Sequence, residues 1–295
     1  MAARWYLGPL GDIRELVSPE PNIEDSSVRY GGVHQGLSGA RTIDVTGHRS
    51  QFTFEFHALT QEDFAWIRAL HMRHVPGPLY LLDPRYKNRL SPQSTAMHMI
   101  IGSPGQFIAA RGLGVVSTNS ARNWSYDWPA EAGPIGVRSQ RFQSYPVTPP
   151  LDIWRFDFGY PIPVLPGETV TYSLYVRCED GETQPFYLLL DFFDRLGETA
   201  TSERFEREAT GDWSRVSYTF TVPDGVAAIG CGGIVGHEES PTSYPLLVAA
   251  PQVESGPEAT EWEMGGGARR VHVDQLSSSS PKFPLTDCTL TLLEA

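Results

Sequence analysis

Gly167-Glu-Thr-Val-Thr-Tyr-Ser-Leu-Tyr-Val-Arg177 decides the fold class. Val170, Tyr172, Leu174 and Val176 fall on one face of this stretch, the period of two that marks a half-buried β-strand. Gln184 to Asp191 follows as a more continuous apolar run. Gly211 to Val222 alternates again through Tyr218, Phe220 and Val222, with a phase break near Ser214–Ser217 that reads as a bulge. Pro223-Asp-Gly225 is a turn, because Pro presets φ and Gly tolerates the reversal. Val226–Ile229 and Leu246–Val248 supply further strands. Short strands separated by Gly/Pro turns predict an antiparallel β-sandwich, a jelly roll, within a mainly β chain.

Charge divides the 295 residues. Residues 102–266 hold ten basic and twenty-two acidic side chains, which accounts for the whole net charge of −12. The flanks balance: ten against ten in 1–101, and three against three in 267–295. A step this sharp, with glycine-rich seams at both edges, predicts a domain of residues 102–266 inserted into a discontinuous one of 1–101 and 267–295. The acidic balance argues against nucleic-acid recognition, which needs a basic face. Three widely spaced cysteines (Cys178, Cys231, Cys288) with no CxxC pair make neither a zinc site nor a disulfide framework, so synthesis in a reducing cytoplasm is expected. No apolar run approaches the roughly 20 residues of a membrane span, and the N-terminus lacks the apolar stretch of a signal peptide.

In the flanks, Arg4–Leu10 and Ile13–Val17 read as short strands, and Arg41–Thr46 and Gln51–Phe56 alternate, with Gly47 placed for a tight hairpin between them. Phe52, Phe54 and Phe56 share a face. Thr60-Gln-Glu-Asp63 is a capping-box-like helix start, and Phe64, Ile67 and Leu70 form the buried stripe behind it. Pro76-Gly77-Pro78 ends the helix near Val75, and Leu79–Asp83 is a buried strand. Val271–Leu276 and Thr289–Leu293 cannot bury a face alone, so they complete the sheet of the first hundred residues.

This order of strands, one helix and a "PLYLLDP" strand resembles the tail-tube-like β-sandwich of minor tail proteins of long-tailed bacteriophages, of the distal tail protein type. The resemblance implies a virion tail-tip protein that forms a homo-oligomeric ring, expected as a hexamer, around the tail channel. Its implied partners are the tail tube, the tape measure and the tail-tip hub. "PGETVTYSLYVR", "GDWSRVSYTFTVPDGVAAIG" and "APQVESGPEATEWEMG" are similar to jelly rolls of the carbohydrate-binding-module type, which implies an outward module for host-surface glycan.

Sugar binding needs aromatic planes for pyranose C–H faces, plus polar groups for hydroxyls. Trp124, Tyr126 and Trp128 alternate and offer either such a platform or a core and interface face. Tyr160 and Tyr244 lie beside prolines in loops and are further candidates. Trp154, Phe156 and Phe158 read as core, and Trp213 as a buried strand residue. Asp191 with Asp194, or Glu203, Glu206 and Glu208, could imitate a glycosidase pair, but they read as a solvated acidic loop. No GxSxG, HExxH or phosphate-cradling glycine loop occurs, so the chain reads as non-enzymatic. No cofactor is called for; Asp180-Gly-Glu182 or Glu238-Glu239 are the carboxylates available to a structural Ca²⁺. The alternative is a glycan-degrading enzyme, or a secreted glycan-binding protein, with the sandwich as its targeting module.

Overall fold

The computed structural model describes residues 4–17, 19–35, 41–43, 47–100, 113–117, 120–133, 138–144, 152–235 and 244–295. In chain order the elements begin with β1 (Tyr6–Pro9), β2 (Arg14–Glu15), β3 (Glu24–Tyr30), β4 (Val33–Gln35), β5 (Arg41–Ile43), β6 (Gly47–Leu59), α1 (Gln61–His71) and β7 (Leu79–Leu82). There follow α2 (Pro92–Thr95), β8 (Met99–Ile100), β9 (Leu113–Ser117), β10 (Ser120–Ser125), β11 (Ser139–Ser144), β12 (Asp152–Phe156) and β13 (Ile162–Pro163). The remaining strands are β14 (Thr169–Cys178), β15 (Gln184–Phe193), β16 (Thr199–Ala209), β17 (Ser214–Thr221), β18 (Ala228–Val235), β19 (Leu246–Ser255), β20 (Ala268–Lys282) and β21 (Leu285–Glu294). The chain is mainly β and divides into a smaller compact unit, residues 2–9, 13–81 and 269–295, and a larger one, 82–268 with 10–12. Residues 82–100, expected with the flanks, therefore pack with the larger unit; Ile101 and Gly102 lie outside the described residues.

The smaller unit is built on a seven-stranded sheet of order β2-β1-β7-β20-β21-β6-β3. The two C-terminal strands sit at its centre, where β21 pairs with β6 from Thr286↔Leu59 to Leu293↔Gln51. Phe52, Phe54 and Phe56 are buried on one face with Leu290, Leu292 and Val271, and Trp5 meets Phe54 edge-on at 5.1 Å. Ile67 and Leu70 of α1 complete this core. Thr60 caps the helix: its Oγ accepts from Asp63 N–H at 3.2 Å and donates to Asp63 Oδ2 at 2.6 Å. The helix ends at His71, ahead of the Pro76-Gly77-Pro78 signal. Gly47 makes no hairpin: it opens β6 opposite Tyr30 of β3, while β5 pairs with β4; residues 44–46 lie outside the described residues. The partner of each strand is set by sheet order, which a lone turn glycine does not encode.

The larger unit is a β-sandwich of the jelly-roll kind. One sheet has the order β10-β11-β19-β14-β17, and the other β16-β15-β18-β12-β9-β8, with β13 also on β18. Val170, Tyr172, Leu174 and Val176 face the core together with Phe186, Leu188, Leu190 and Phe192 of β15. Trp154 stacks on Phe142 across the sheets at 4.9 Å, and Tyr172 Oη donates to Gly232 O at 2.9 Å. Ser214–Ser217 carries no bulge, since β17 pairs with β14 without a break from Thr221 to Ser214. The phase shift arises because Trp213 precedes the strand and packs elsewhere; the irregularity sits between Ser173 and Tyr175, where β14 meets β19. Glu203, Glu206 and Glu208 are not in a loop but on β16, an edge strand paired with β15 and studded with exposed charge. Such charge keeps an edge from recruiting further strands.

Two segments strap the sandwich. Asn88 is buried and fully satisfied: Nδ2 donates to Pro251 O and Glu263 O, each at 3.0 Å, and Oδ1 accepts from Leu90 and Val253 N–H. Buried Asp157 accepts from Ser91 N–H (2.8 Å), Ser91 Oγ (2.5 Å) and Ser94 Oγ (2.9 Å), which ties α2 to the end of β12. Arg89 pairs with Glu168 at 2.5 Å. Burial alone would raise the Glu168 carboxyl, but the Arg89 charge and bonds from Arg89, Leu165 N–H and Ser255 outweigh it and hold it below its ordinary value. The second strap is the Gln252–Trp262 phrase. Glu254, buried, accepts from Gln252 Nε2 and from Thr260 N–H and Oγ at 2.6–2.9 Å, and Trp262 Nε1 donates to Pro251 O at 3.3 Å. It covers the outer face of the five-stranded sheet, so Thr171 and Ser173 are buried as fully as the core face of their own strand and Tyr175 nearly so.

Candidate functional site

On the outer face of the second sheet Leu189 and Ile234 are buried, and a cleft opens beside them among the described residues. On β15 the core takes Phe186, Leu188, Leu190 and Phe192, so strand alternation turns Tyr187, Leu189, Asp191 and Phe193 outward. On β18 the core takes Ile229, Cys231 and Val235, which places Gly230 and Gly232 on the outer face. These two positions carry no side chain, so a trough runs along β18 between its neighbours β15 and β12.

Across that trough Arg155 of β12 meets Asp191 of β15. Arg155 Nε lies 2.7 Å from Asp191 Oδ2 and Nη2 lies 3.3 Å from Oδ1. The two residues sit opposite Gly232 and Gly230 respectively, so their side chains close over the intervening strand. Two strand spacings of about 4.8 Å each separate their backbones, a span the long arginine covers only because glycine lies beneath it. The pair is 15% and 11% exposed. Ser202 of β16 donates to Asp191 Oδ1 at 2.6 Å. Burial lowers the Arg155 pKa, and the Asp191 carboxylate opposes that shift.

The resulting cleft has a volume of about 390 Å³, at the small end for ligand sites. Phe158 and Phe193 are aromatic in its lining, and Asp157, Ser202, Thr199 and the Arg155–Asp191 pair are polar. Gly230 also seats Phe193, whose ring edge lies 3.1 Å from where a Cβ would stand.

The residues singled out from the sequence are scattered by comparison. Trp124 and Tyr126 form an exposed edge-to-face pair, 48% and 77% exposed with centroids 4.9 Å apart, at the end of β10 on the other sheet. The Arg138 guanidinium lies 5.4 Å from the Trp124 ring. Trp128 does not share their face: it is half-buried edge-on against Trp262 at 5.4 Å, and its indole N–H donates to Gly133 O. Trp213 joins the same cluster and donates to Asp127 Oδ1 at 3.1 Å. Tyr160 is half-buried in the turn after β12, between the cleft residues Gly159 and Pro161. Tyr244 packs against the sandwich core, its N–H donating to Gln184 Oε1. Trp154 and Phe156 are core, whereas Phe158 lines the cleft.

Asp194 accepts from Leu196 and Glu198 N–H in a turn and makes no pair with Asp191. The Asp180 side chain and residues 238–239, considered for Ca²⁺, lie outside the described residues. Among the described residues no three His, Cys, Asp or Glu side chains converge as metal ligands, and no helix is long and apolar enough to cross a membrane. Arg155 and Phe193 escaped the sequence reading, and Asp191, read there as part of a solvated acidic loop with Asp194, instead stands on β15 and pairs with Arg155. The available signal was Gly230-Cys-Gly-Gly233 inside an apolar strand, since strand glycines mark close approach.

No protein-family model and no curated protein matches the sequence. Among solved structures the chain is similar to the enzymatically active domain of tailspike protein 4 of bacteriophage CBA120, with a TM-score of 0.39 and 14% identity over 56% of this chain and 22% of that one. It is similar to the CBM22-1 and GH10 modules of Clostridium thermocellum endo-1,4-beta-D-xylanase 10B, with a TM-score of 0.38 and 14% identity over 58% of this chain and 29% of that one. A third likeness is to a xylan-binding domain of Paenibacillus barcinonensis, with a TM-score of 0.34 and 12% identity over 54% of this chain and 100% of that domain. The chain thus spans less than a third of the length of the first two.

Proposed function

We propose that the larger unit is a glycan-binding module, with its ligand in the cleft over Gly230, and that the protein binds without turning its ligand over. The observation that carries this reading is the contrast between the two outer faces. One is sealed by the Gln252–Trp262 strap, while the other holds aromatic rings beside an ion pair in an open trough. Rings contact sugar C–H faces, and the polar groups orient hydroxyls. Asp191 is engaged by Arg155 and Ser202, which suits orientation better than proton transfer. Phe158→Ala and Phe193→Ala each weaken binding of the full chain to its best polymer on a neutral-polysaccharide panel by about tenfold, or ~1.4 kcal/mol. Affinity electrophoresis measures this, with thermal melts to confirm folding; unchanged affinity in both variants removes the cleft as the site.

The smaller unit we assign to assembly, as a ring-forming element of a phage tail tip that presents the module to host-surface glycan and contacts other tail proteins. Its strand order resembles the distal tail protein type. Its described sheet ends in strands β2 and β3, through which copies can join. Charge supports this too, because residues 2–9, 13–81 and 269–295 carry ten basic and eleven acidic side chains and can pack side by side with little accumulated repulsion. Native mass spectrometry of the full chain, alone and with its tail-tube partner, is expected to show a closed ring, and a monomer under both conditions overturns the assignment.

A further inference from the structure

We infer that the cleft reads a vicinal diol on a neutral sugar and discriminates against anionic glycans. This deepens, and rests on, the glycan-binding reading. The reason lies in how Arg155 and Asp191 present themselves to a ligand. A guanidinium is a donor only and a carboxylate an acceptor only. Held at 2.7 Å, they put a donor group and an acceptor group side by side in the lining of the cleft.

Adjacent ring hydroxyls match that arrangement. One donates to Asp191 while its neighbour accepts from Arg155, and each hydroxyl keeps a lone pair or proton for Ser202 or Thr199. Asp191 has up to four lone-pair sites against three bonds from Arg155 and Ser202. Phe158 and Phe193 then take the apolar face of the same ring.

The carboxylate of a uronate, or a phosphate, fits badly: it can only accept, so it must compete with Asp191 for Arg155, whose charge Asp191 already neutralises, and it lies against that carboxylate. Among the described residues the lining holds one arginine and a second carboxylate, Asp157, and no lysine or histidine. The wider field acts the same way, since residues 82–268 carry thirteen basic against twenty-three acidic side chains.

The experiment uses the full chain and three neutral hexose polymers: mixed-linkage β-glucan, galactomannan and an α-1,4-glucan. Each is also presented in two altered forms. Periodate oxidation followed by borohydride reduction cleaves vicinal diols and leaves the polymer neutral. Selective oxidation of the 6-hydroxymethyl group to a carboxylate leaves the 2,3-diol and adds charge. Whichever polymer binds is expected to lose at least tenfold in affinity in each altered form. Asp191→Asn, which keeps the shape and removes the charge, is expected to weaken the neutral polymer and narrow the gap to its carboxylated form. Retained affinity after periodate treatment, or equal affinity for the carboxylated polymer, overturns the diol reading and leaves the glycan site standing. Failure of all three unmodified polymers to bind removes the site and the inference together.

Discussion

Asn88→Ala is expected to lower the stability of the protein by about 4 kcal/mol, a large share of the roughly 5–15 kcal/mol that a folded domain possesses. The side chain makes four bonds in a buried setting, to Pro251 O, Glu263 O, Leu90 N–H and Val253 N–H. Alanine removes both halves of the amide and takes away the partner of Glu263 O and of the Leu90 and Val253 N–H groups, while Pro251 O keeps its bond from Trp262 Nε1. Each buried orphan costs roughly 1–3 kcal/mol, so three of them reach the expected figure at a little above the low end of that range. The loss is not local. Asn88 joins the 82–97 strap to β19 and to the chain at Glu263, and its own carbonyl accepts from Gly266 and Gly267 N–H. Urea unfolding followed by tryptophan fluorescence measures the change. Asn88→Asp serves as a second variant, because it keeps the acceptor but loses both donors and adds a buried charge, so it should be at least as damaging. A loss below about 1 kcal/mol in both would mean that water replaces the amide and that the strap holds by other contacts.

Gly232→Ala is the other large expected effect. A Cβ there would stand 2.0 Å from Trp154 O and 3.1 Å from Arg155 Cα, both backbone atoms of the paired strand β12. A flexible side chain could swing away from such a contact, but a strand carbonyl cannot move without breaking its ladder. The usual range for overpacking is about 1–3 kcal/mol, and this contact belongs at or beyond its upper end. The same methyl would stand beneath the Arg155–Asp191 bridge, so any fraction that folds should also bind glycan more weakly. Ser217→Ala, on the exposed side of β17, should stay within about 0.5 kcal/mol of the parent and controls for a generic effect of strand substitution. A soluble Gly232→Ala protein with an unchanged urea midpoint would show that β12 and β18 can separate enough to admit the methyl.

The two variants mark where local pattern stops being informative. Val170, Tyr172, Leu174 and Val176 were legible as a core face, since alternation is a property of one strand and needs no partner. Thr60 and Asp63 announced a helix start for the same reason: capping bonds span three residues. Asn88, Ser91 and Ser94 look in sequence like ordinary loop residues, and only packing against β19 and β12 buries them. β16 was hidden because its face is charged and exposed, so it has no apolar alternation to detect. Trp124, Tyr126 and Trp128 have strand spacing, yet the chain leaves β10 at Ser125, and Trp128 turns toward Trp262.

From the sequence alone follow the mainly β class, the jelly-roll strands, the capped helix and the charge division, all of which rest on neighbours a few residues apart. The tertiary structure alone decided where the cleft opens and which side chains meet in it. Arg155 and Asp191 are 36 residues apart on strands that are not themselves paired. They touch because β18 enters between them and presents glycine at the two positions where any side chain would stand in the way. Sheet order is a long-range property, and a site that depends on it becomes visible only when the strands are in place.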